Sequence, residues 1–272
     1  MRLATIRTAT GTRAVRVEET DAVELGHADL GELFRRPDWR AEAAEAQGRR
    51  HPVGELDYAV PVTSPDKVIC VGLNYRNHIL EMGRELPTHP TLFAKYTGAL
   101  IGAYDDITLP AVSSAVDWEA ELGVVVGRPL RHASPEEAAA GIAGYTVVND
   151  VTARDYQYRG AQWLQGKTFE ATTPVGPWVV TPDGAPEHAL SCAVDGEVVQ
   201  RASTGDLVFG PADLLAYVSE IITLLPGDII ATGTPGGVGH ARTPARYLTD
   251  GAVLTTTVAG VGECRNVCRS AK

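Results

Sequence analysis

Asp117-Trp118-Glu119-Ala120-Glu121-Leu122-Gly123-Val124-Val125-Val126-Gly127 decides how this chain is read. It is a short β-branched run closed by a glycine, the signature of a strand. Side chains alternate along a strand, so Glu119 and Glu121 share one face while Trp118, Ala120 and Leu122 share the other. Comparable runs lie on both sides: residues 67–72 (KVICVG), 144–150 (GYTVVND), 174–180 (PVGPWVV), 190–199 (LSCAVDGEVV), 227–232 (GDIIAT) and 251–258 (GAVLTTTV). Asp195-Gly196 between two apolar runs is a hairpin signal. Two segments break the pattern. Residues 134–142 open Ser-Pro-Glu-Glu, with Ser134 as cap and Pro135 at the first helical position. Gly210-Pro211-Ala212-Asp213 leads into a helix over 214–222. Many strands with few helices predict an α+β fold that is mainly β. Residues 1–63 read differently, with short strands over 2–7 and 12–17 and a helix over 38–47, and predict a small N-terminal domain before a main body over 64–272.

The 272 residues suffice for a full core, and 44% apolar with 21% charged residues is ordinary globular composition. A formal charge of −10 argues against nucleic acid and against anionic membranes, because both are bound through Lys and Arg. An acidic protein with an anionic substrate needs local positive charge, from a metal or from placed cations. No run approaches the ~20 apolar residues of a membrane span, and the opening MRLATIRTAT lacks a signal-peptide core. Cys70, Cys192, Cys264 and Cys268 have no zinc-site spacing, so reduced thiols in a cytoplasmic protein are expected.

Several side chains can carry chemistry. Glu119 and Glu121 on one face can converge on a hard cation, although exposed acids on a wet strand face are the ordinary alternative. Asp150 ends an apolar strand and is placed to be a third ligand, or else to form a turn with Asn149. Three carboxylates with open positions describe a Mg²⁺ or Mn²⁺ site. His78 and Glu81 lie three apart and share a face if the stretch is helical, which gives an imidazole a carboxylate to raise its basicity. Downstream of Asp150, Arg154, Gln157 and Lys167 can hold a carboxylate and an oxyanion, unless they are merely solvated. The run Thr232-Gly233-Thr234-Pro235-Gly236-Gly237-Val238-Gly239 fits neither a P-loop nor a dinucleotide fingerprint. It suits close backbone approach to a small ligand, with Thr234 offering a hydroxyl.

Taken together, VGLNYRNHILEMG, DWEAELGVVVG, GYTVVNDVTARDYQ, GKTF and GDIIATGTPGGVG resemble the fumarylacetoacetate hydrolase superfamily, in its order, from about residue 67 to 258. The resemblance implies a mixed β-sandwich roll with a small N-terminal α/β appendage, assembled as a homodimer. It implies one divalent cation per subunit, Mg²⁺ or Mn²⁺, on Glu119, Glu121 and Asp150. It implies a water-activating dyad of His78 and Glu81 on a lid over residues 81–89, and substrate contacts from Arg154, Gln157, Lys167 and Thr234. The larger animal members carry an additional Asp ligand ahead of the catalytic His, and here that run is Ile69-Cys70-Val71-Gly72-Leu73. The departure points to the shorter acylpyruvate hydrolase and decarboxylase branch.

The leading expectation is therefore metal-dependent C–C hydrolysis of a 2,4-dioxo acid such as fumarylpyruvate, giving pyruvate and a second acid, with Lys167 helping to hold the enolate charge. The alternative is decarboxylation of an oxaloacetate-like acid or isomerisation of a dienedioate on the same scaffold, since all these reactions pass through an enolate. A metal- and oxo-acid-binding protein without turnover is the rival from another class. Arg76, Arg84 and Arg159 are candidate anchors for a second carboxylate.

Overall fold

The computed structural model describes residues 1–271 apart from 82, 183, 185 and 186. A 12-stranded mixed sheet forms the backbone of the molecule. Its centre runs Arg2–Thr8, Thr173–Val180, Ile142–Asn149, Ala120–Val126, Ile229–Ala231 and Val68–Gly72. The first five of these pair antiparallel, and Ile229–Ala231 runs parallel to Val68–Gly72. A five-stranded sheet, in the order Glu197–Ser203, Ala189–Val194, Val253–Val258, Gly262–Ser270 and Ile107–Leu109, packs over part of it. The N-terminal strands extend the large sheet, because Arg2 and Leu3 pair with Val180 and Val179.

Strand Ala120–Val126 shows why the sheet can carry a site. Every residue in it is buried, as expected of a central strand covered on both faces. On one face, Ala120 and Leu122 join the core shared with the small sheet. Further along that face, Val124 and Val126 lie under helices Pro135–Ala140 and Pro211–Ile221. On the other, Val125 meets the N-terminal helices Leu30–Phe34 and Trp39–Glu45, and Glu121 points to the same side of the strand.

Local chemistry follows the sequence in most places. Ser134 and Glu137 form a reciprocal capping box with Pro135 inside it. Asp195 (φ 53°) and Gly196 (φ 82°) turn a tight hairpin between Ala189–Val194 and Glu197–Ser203. The first helix, Leu30–Phe34, is a feature that the sequence pattern does not announce; Asp29 caps it by accepting from Glu32 N–H. The four cysteines are buried and unbridged. No helix among the described residues is long and apolar enough to cross a membrane.

Trp118 pins the two sheets together. It is fully buried in the shared core, and its Nε1 donates to Gly237 O at 3.2 Å. Trp118→Ala should lower unfolding free energy by ~3–5 kcal/mol, read by urea denaturation. A loss under ~1 kcal/mol would mean that the sheets do not depend on this contact.

Candidate active site

Three carboxylates meet where the central strands end. The antiparallel register sets Ala120 against Asn149 and Glu121 against Val148, which brings Asp150, the next residue, alongside. Glu119 arrives differently from the alternation argument. The strand is interrupted between Val116–Asp117 and Ala120–Val126, and Glu119 lies in that break, its N–H bound to Asn149 Oδ1 at 3.0 Å. Buried Asn149 also donates to Thr256 Oγ1 at 2.8 Å, so it fixes this break against the small sheet. Glu119, Glu121 and Asp150 are all buried, each with an oxygen within 4.8 Å of the others.

Burying acids costs several kcal/mol each unless they are paired, and most of this cluster is paired. Lys167 Nζ bridges Glu119 Oε2 (2.6 Å) and Asp150 Oδ2 (2.8 Å). Arg154 Nη1 meets Glu119 Oε1 at 2.7 Å, and Lys95 Nζ meets Asp150 Oδ1 at 2.6 Å. Burial alone would raise the Asp150 pKa, but Lys167 and Lys95 outweigh it and hold it at about 2. Glu121 differs. Its only hydrogen bond among the described residues comes from Gly233 N–H (2.7 Å), and burial, then Asp150 and Glu119, push its pKa well above the usual range. A carboxylate without a cation, within reach of two others, matches what a hard divalent ion requires. The oxygen-only donor set fits Mg²⁺ or Mn²⁺.

His78 and Glu81 ride on helix Arg76–Glu81, so the expected shared face is present. The root of that helix is tightly held. Buried Asn74 donates to Phe209 O and Thr232 O and accepts from Phe209 N–H, while Leu73 adopts a left-handed φ of 55°. Asp206 Oδ2 accepts from Asn77 N–H at 3.0 Å. The dyad rests on Gly236, where an added Cβ would stand 3.1 Å from His78 Nδ1 and 3.5 Å from Glu81 Oε2. One expectation is corrected here. Burial lowers the His78 pKa and outweighs the opposing pull of Glu81, so the imidazole is held neutral rather than made more basic. No hydrogen bond joins His78 to Glu81 among the described residues.

Between the helix and the acids lies a cleft of about 250 Å³. Val71, Leu73, Phe93 and Trp163 give it apolar walls, and His78, Glu119 and the four expected substrate contacts, Arg154, Gln157, Lys167 and Thr234, give it polar ones. Arg154 is buried, donates from Nη1 to Gln157 Oε1 at 2.9 Å, and keeps Nη2 without a partner. Thr234 Oγ1 donates to Ala120 O and accepts from Gln200 Nε2. Glu81 does not line this cleft but an adjoining hollow that also touches His78. Arg84 lines the cleft, whereas the Arg159 guanidinium stacks on Tyr156 at 3.4 Å and Arg76 is exposed outside it. Of the expected lid over 81–89, residue 82 lies outside the described residues.

Lys95, Asn74, Asp117 and Gln200 escape a sequence reading. Lys95 looks like a charge ending the run TLFAK, and only its complete burial beside Asp150 reveals a role. Gln200 sits in a hairpin strand with no local cue, yet it accepts from Ala120 N–H and donates to Thr234 and Pro235.

Residues 67–269 match the family model described as fumarylacetoacetate (FAA) hydrolase C-terminal. Human oxaloacetate tautomerase FAHD2A, mitochondrial, is 45% identical over 248 residues, covering 89% of this chain and 77% of that protein. The 2,4-didehydro-3-deoxy-L-rhamnonate hydrolase of a Sphingomonas strain is 43% identical over 217 residues, covering 78% of this chain and 76% of that one. Among solved structures, 5-carboxymethyl-2-hydroxymuconate delta-isomerase from Mycobacterium smegmatis superposes with a TM-score of 0.86 at 34% identity, over 100% of both chains. A match across three quarters of the sequence, over a fold that superposes end to end, makes this chain an enzyme belonging to the fumarylacetoacetate hydrolase family.

Proposed function

We propose that this enzyme interconverts the keto and enol forms of a small 2-oxo dicarboxylic acid of the oxaloacetate class, with one Mg²⁺ or Mn²⁺ on Glu119, Glu121 and Asp150. The observation that carries the reading is the 45% identity, over 89% of the chain, with a protein named oxaloacetate tautomerase. It favours the isomerisation alternative over the C–C hydrolysis expected first from the sequence. The cleft supports it, because one neutral imidazole and two buried cations are a sufficient set for moving a proton next to a carbonyl.

A divalent ion on the three acids would supply Lewis acidity to the 2-oxo carbonyl. The protein's own groups do the rest. Arg154 offers its free Nη2 to the substrate carboxylate. His78 takes a proton from the carbon beside the carbonyl, which its neutral form allows near pH 7. The ammonium of Lys167 steadies the charge that develops on the oxygen. The imidazolium then returns the proton to that oxygen, so the reaction balances with nothing consumed. Phe93 and Trp163 keep bulk water from competing.

Hydrolysis of a C–C bond is the second reading, supported by the 43% identity with the Sphingomonas hydrolase. It uses the same residues but requires water to attack the distal carbonyl. The resemblance also leads us to propose a homodimer, which sedimentation analysis checks.

Decay of the oxaloacetate enol, followed by ultraviolet absorbance, should accelerate with the Mg²⁺-loaded enzyme. His78→Ala should slow it ~10²–10⁴-fold while Mn²⁺ binding, measured by calorimetry, stays intact. Glu119→Gln should lose metal and activity together. A His78→Ala enzyme at full speed would remove the proposed base. Pyruvate plus a second acid released from acylpyruvates, with the oxaloacetate enol left untouched, would replace tautomerisation by hydrolysis.

A further inference from the structure

Asp117 is fully buried at the end of strand Val116–Asp117, two residues before Glu119. Its two oxygens take four donors. Oδ1 accepts from Trp118 N–H at 2.8 Å and Gly239 N–H at 2.7 Å. Oδ2 accepts from His240 N–H at 2.9 Å and Arg154 Nε at 2.8 Å. An ionised carboxylate has about four lone-pair sites, so this one is saturated and has nothing left to offer a metal or a substrate.

Those four bonds reach two separate walls of the cleft. One wall is Arg154, which Asp117 holds from Nε while Glu119 and Gln157 hold it from Nη1. That bracing leaves Nη2 as the unpartnered donor. The other wall is the glycine-rich loop, whose Val238 and His240 line the cleft. The loop approaches Asp117 so closely that residue 239 must lack a side chain: a Cβ there would lie 2.8 Å from Asp117 Oδ1 and 1.9 Å from Arg246 O.

We propose that Asp117 is a positioning residue for carboxylate recognition, locking the Arg154 guanidinium and the His240 wall at one spacing so that Arg154 Nη2 meets the acid already oriented. The inference rests on Arg154 being the substrate anchor named under Proposed function. Its physical basis is preorganisation: a rotamer-rich side chain held before binding loses less freedom on binding. Asp117 itself touches neither substrate nor metal.

Asp117→Asn tests it with little change of shape. The amide oxygen can still accept from Trp118 and Gly239, but the new amide N–H groups face the donors of Arg154 and His240. In the Mg²⁺-loaded enzyme, KM for oxaloacetate and Kd for oxalate should both rise ~10–100-fold, as for other buried partners of a site residue. The kcat value and calorimetric Mn²⁺ affinity should stay near wild type, which a general loosening of the fold would not leave untouched. In an Arg154→Ala background the substitution should add nothing to the oxalate Kd, because it acts through that arginine. Effects that multiply instead would overturn the role. Asp117→Ser, smaller and also uncharged, carries the same cycle as a second variant. The oxalate cycle needs no turnover, so wild-type protein that binds oxalate but leaves oxaloacetate unchanged overturns the proposed reaction without touching the outcome for Asp117.

Discussion

The structure depends on a knot of buried charge. Glu119, Glu121, Asp150 and Asp117 are all buried, and Lys95, Lys167 and Arg154 are buried against them. Such a cluster is tolerated only when geometry pairs nearly every member, since an uncompensated charge in a low-dielectric interior is among the most destabilising features a fold can carry. Four acids face three cations here, and the shortfall falls on Glu121. Glu119, Glu121 and Asp150 are close enough together to hold a metal ion, which would supply the missing positive charge. This links the energetics of the fold to the identity of the site.

The surrounding architecture keeps the knot in register. Antiparallel pairing of Ala120–Val126 with Ile142–Asn149 aligns Glu121 with Asp150, and Asn149 ties the Glu119 break to the small sheet through Thr256. Gln200 reaches from the other sheet to Ala120 and Thr234. Polar groups buried at the seam between two sheets thus do two tasks at once: they satisfy each other, and they fix the spacing of groups that face the cleft. Helix Arg76–Glu81 is secured by the same logic, with Asn74 spending its whole amide on backbone partners.

The chemistry of the cleft is economical because one arrangement serves several reactions. Tautomerisation, isomerisation and C–C cleavage all pass through an enolate next to a carboxylate, so under the proposed reading cations at Lys167 and Arg154 would serve each of them. Under that reading, what separates the reactions is whether the His78 imidazole would work on a carbon-bound proton or on water. Arg84, Trp163 and His240 also line the cleft, and under the proposed reading the exclusion of water there would bear on that choice.

Much of this was legible in the sequence. Strand runs, the Asp195-Gly196 hairpin and the Ser134 capping box are local decisions made by side-chain branching, turn geometry and hydrogen-bond reach, so they survive without tertiary information. Motif order singled out Glu119, Glu121 and Asp150, which the fold gathers within 4.8 Å of one another, and His78, which lines the adjoining cleft. Tertiary structure alone decided the rest, because those features join residues far apart in the chain. Lys95 becomes an ion-pair partner only once its strand end lies against Asp150, 55 residues on. Asp117 gathers Gly239 and His240 from more than 120 residues away. Burial also outweighs the pull of Glu81 on His78, since local spacing specifies who the neighbours are, whereas desolvation is a property of the whole fold.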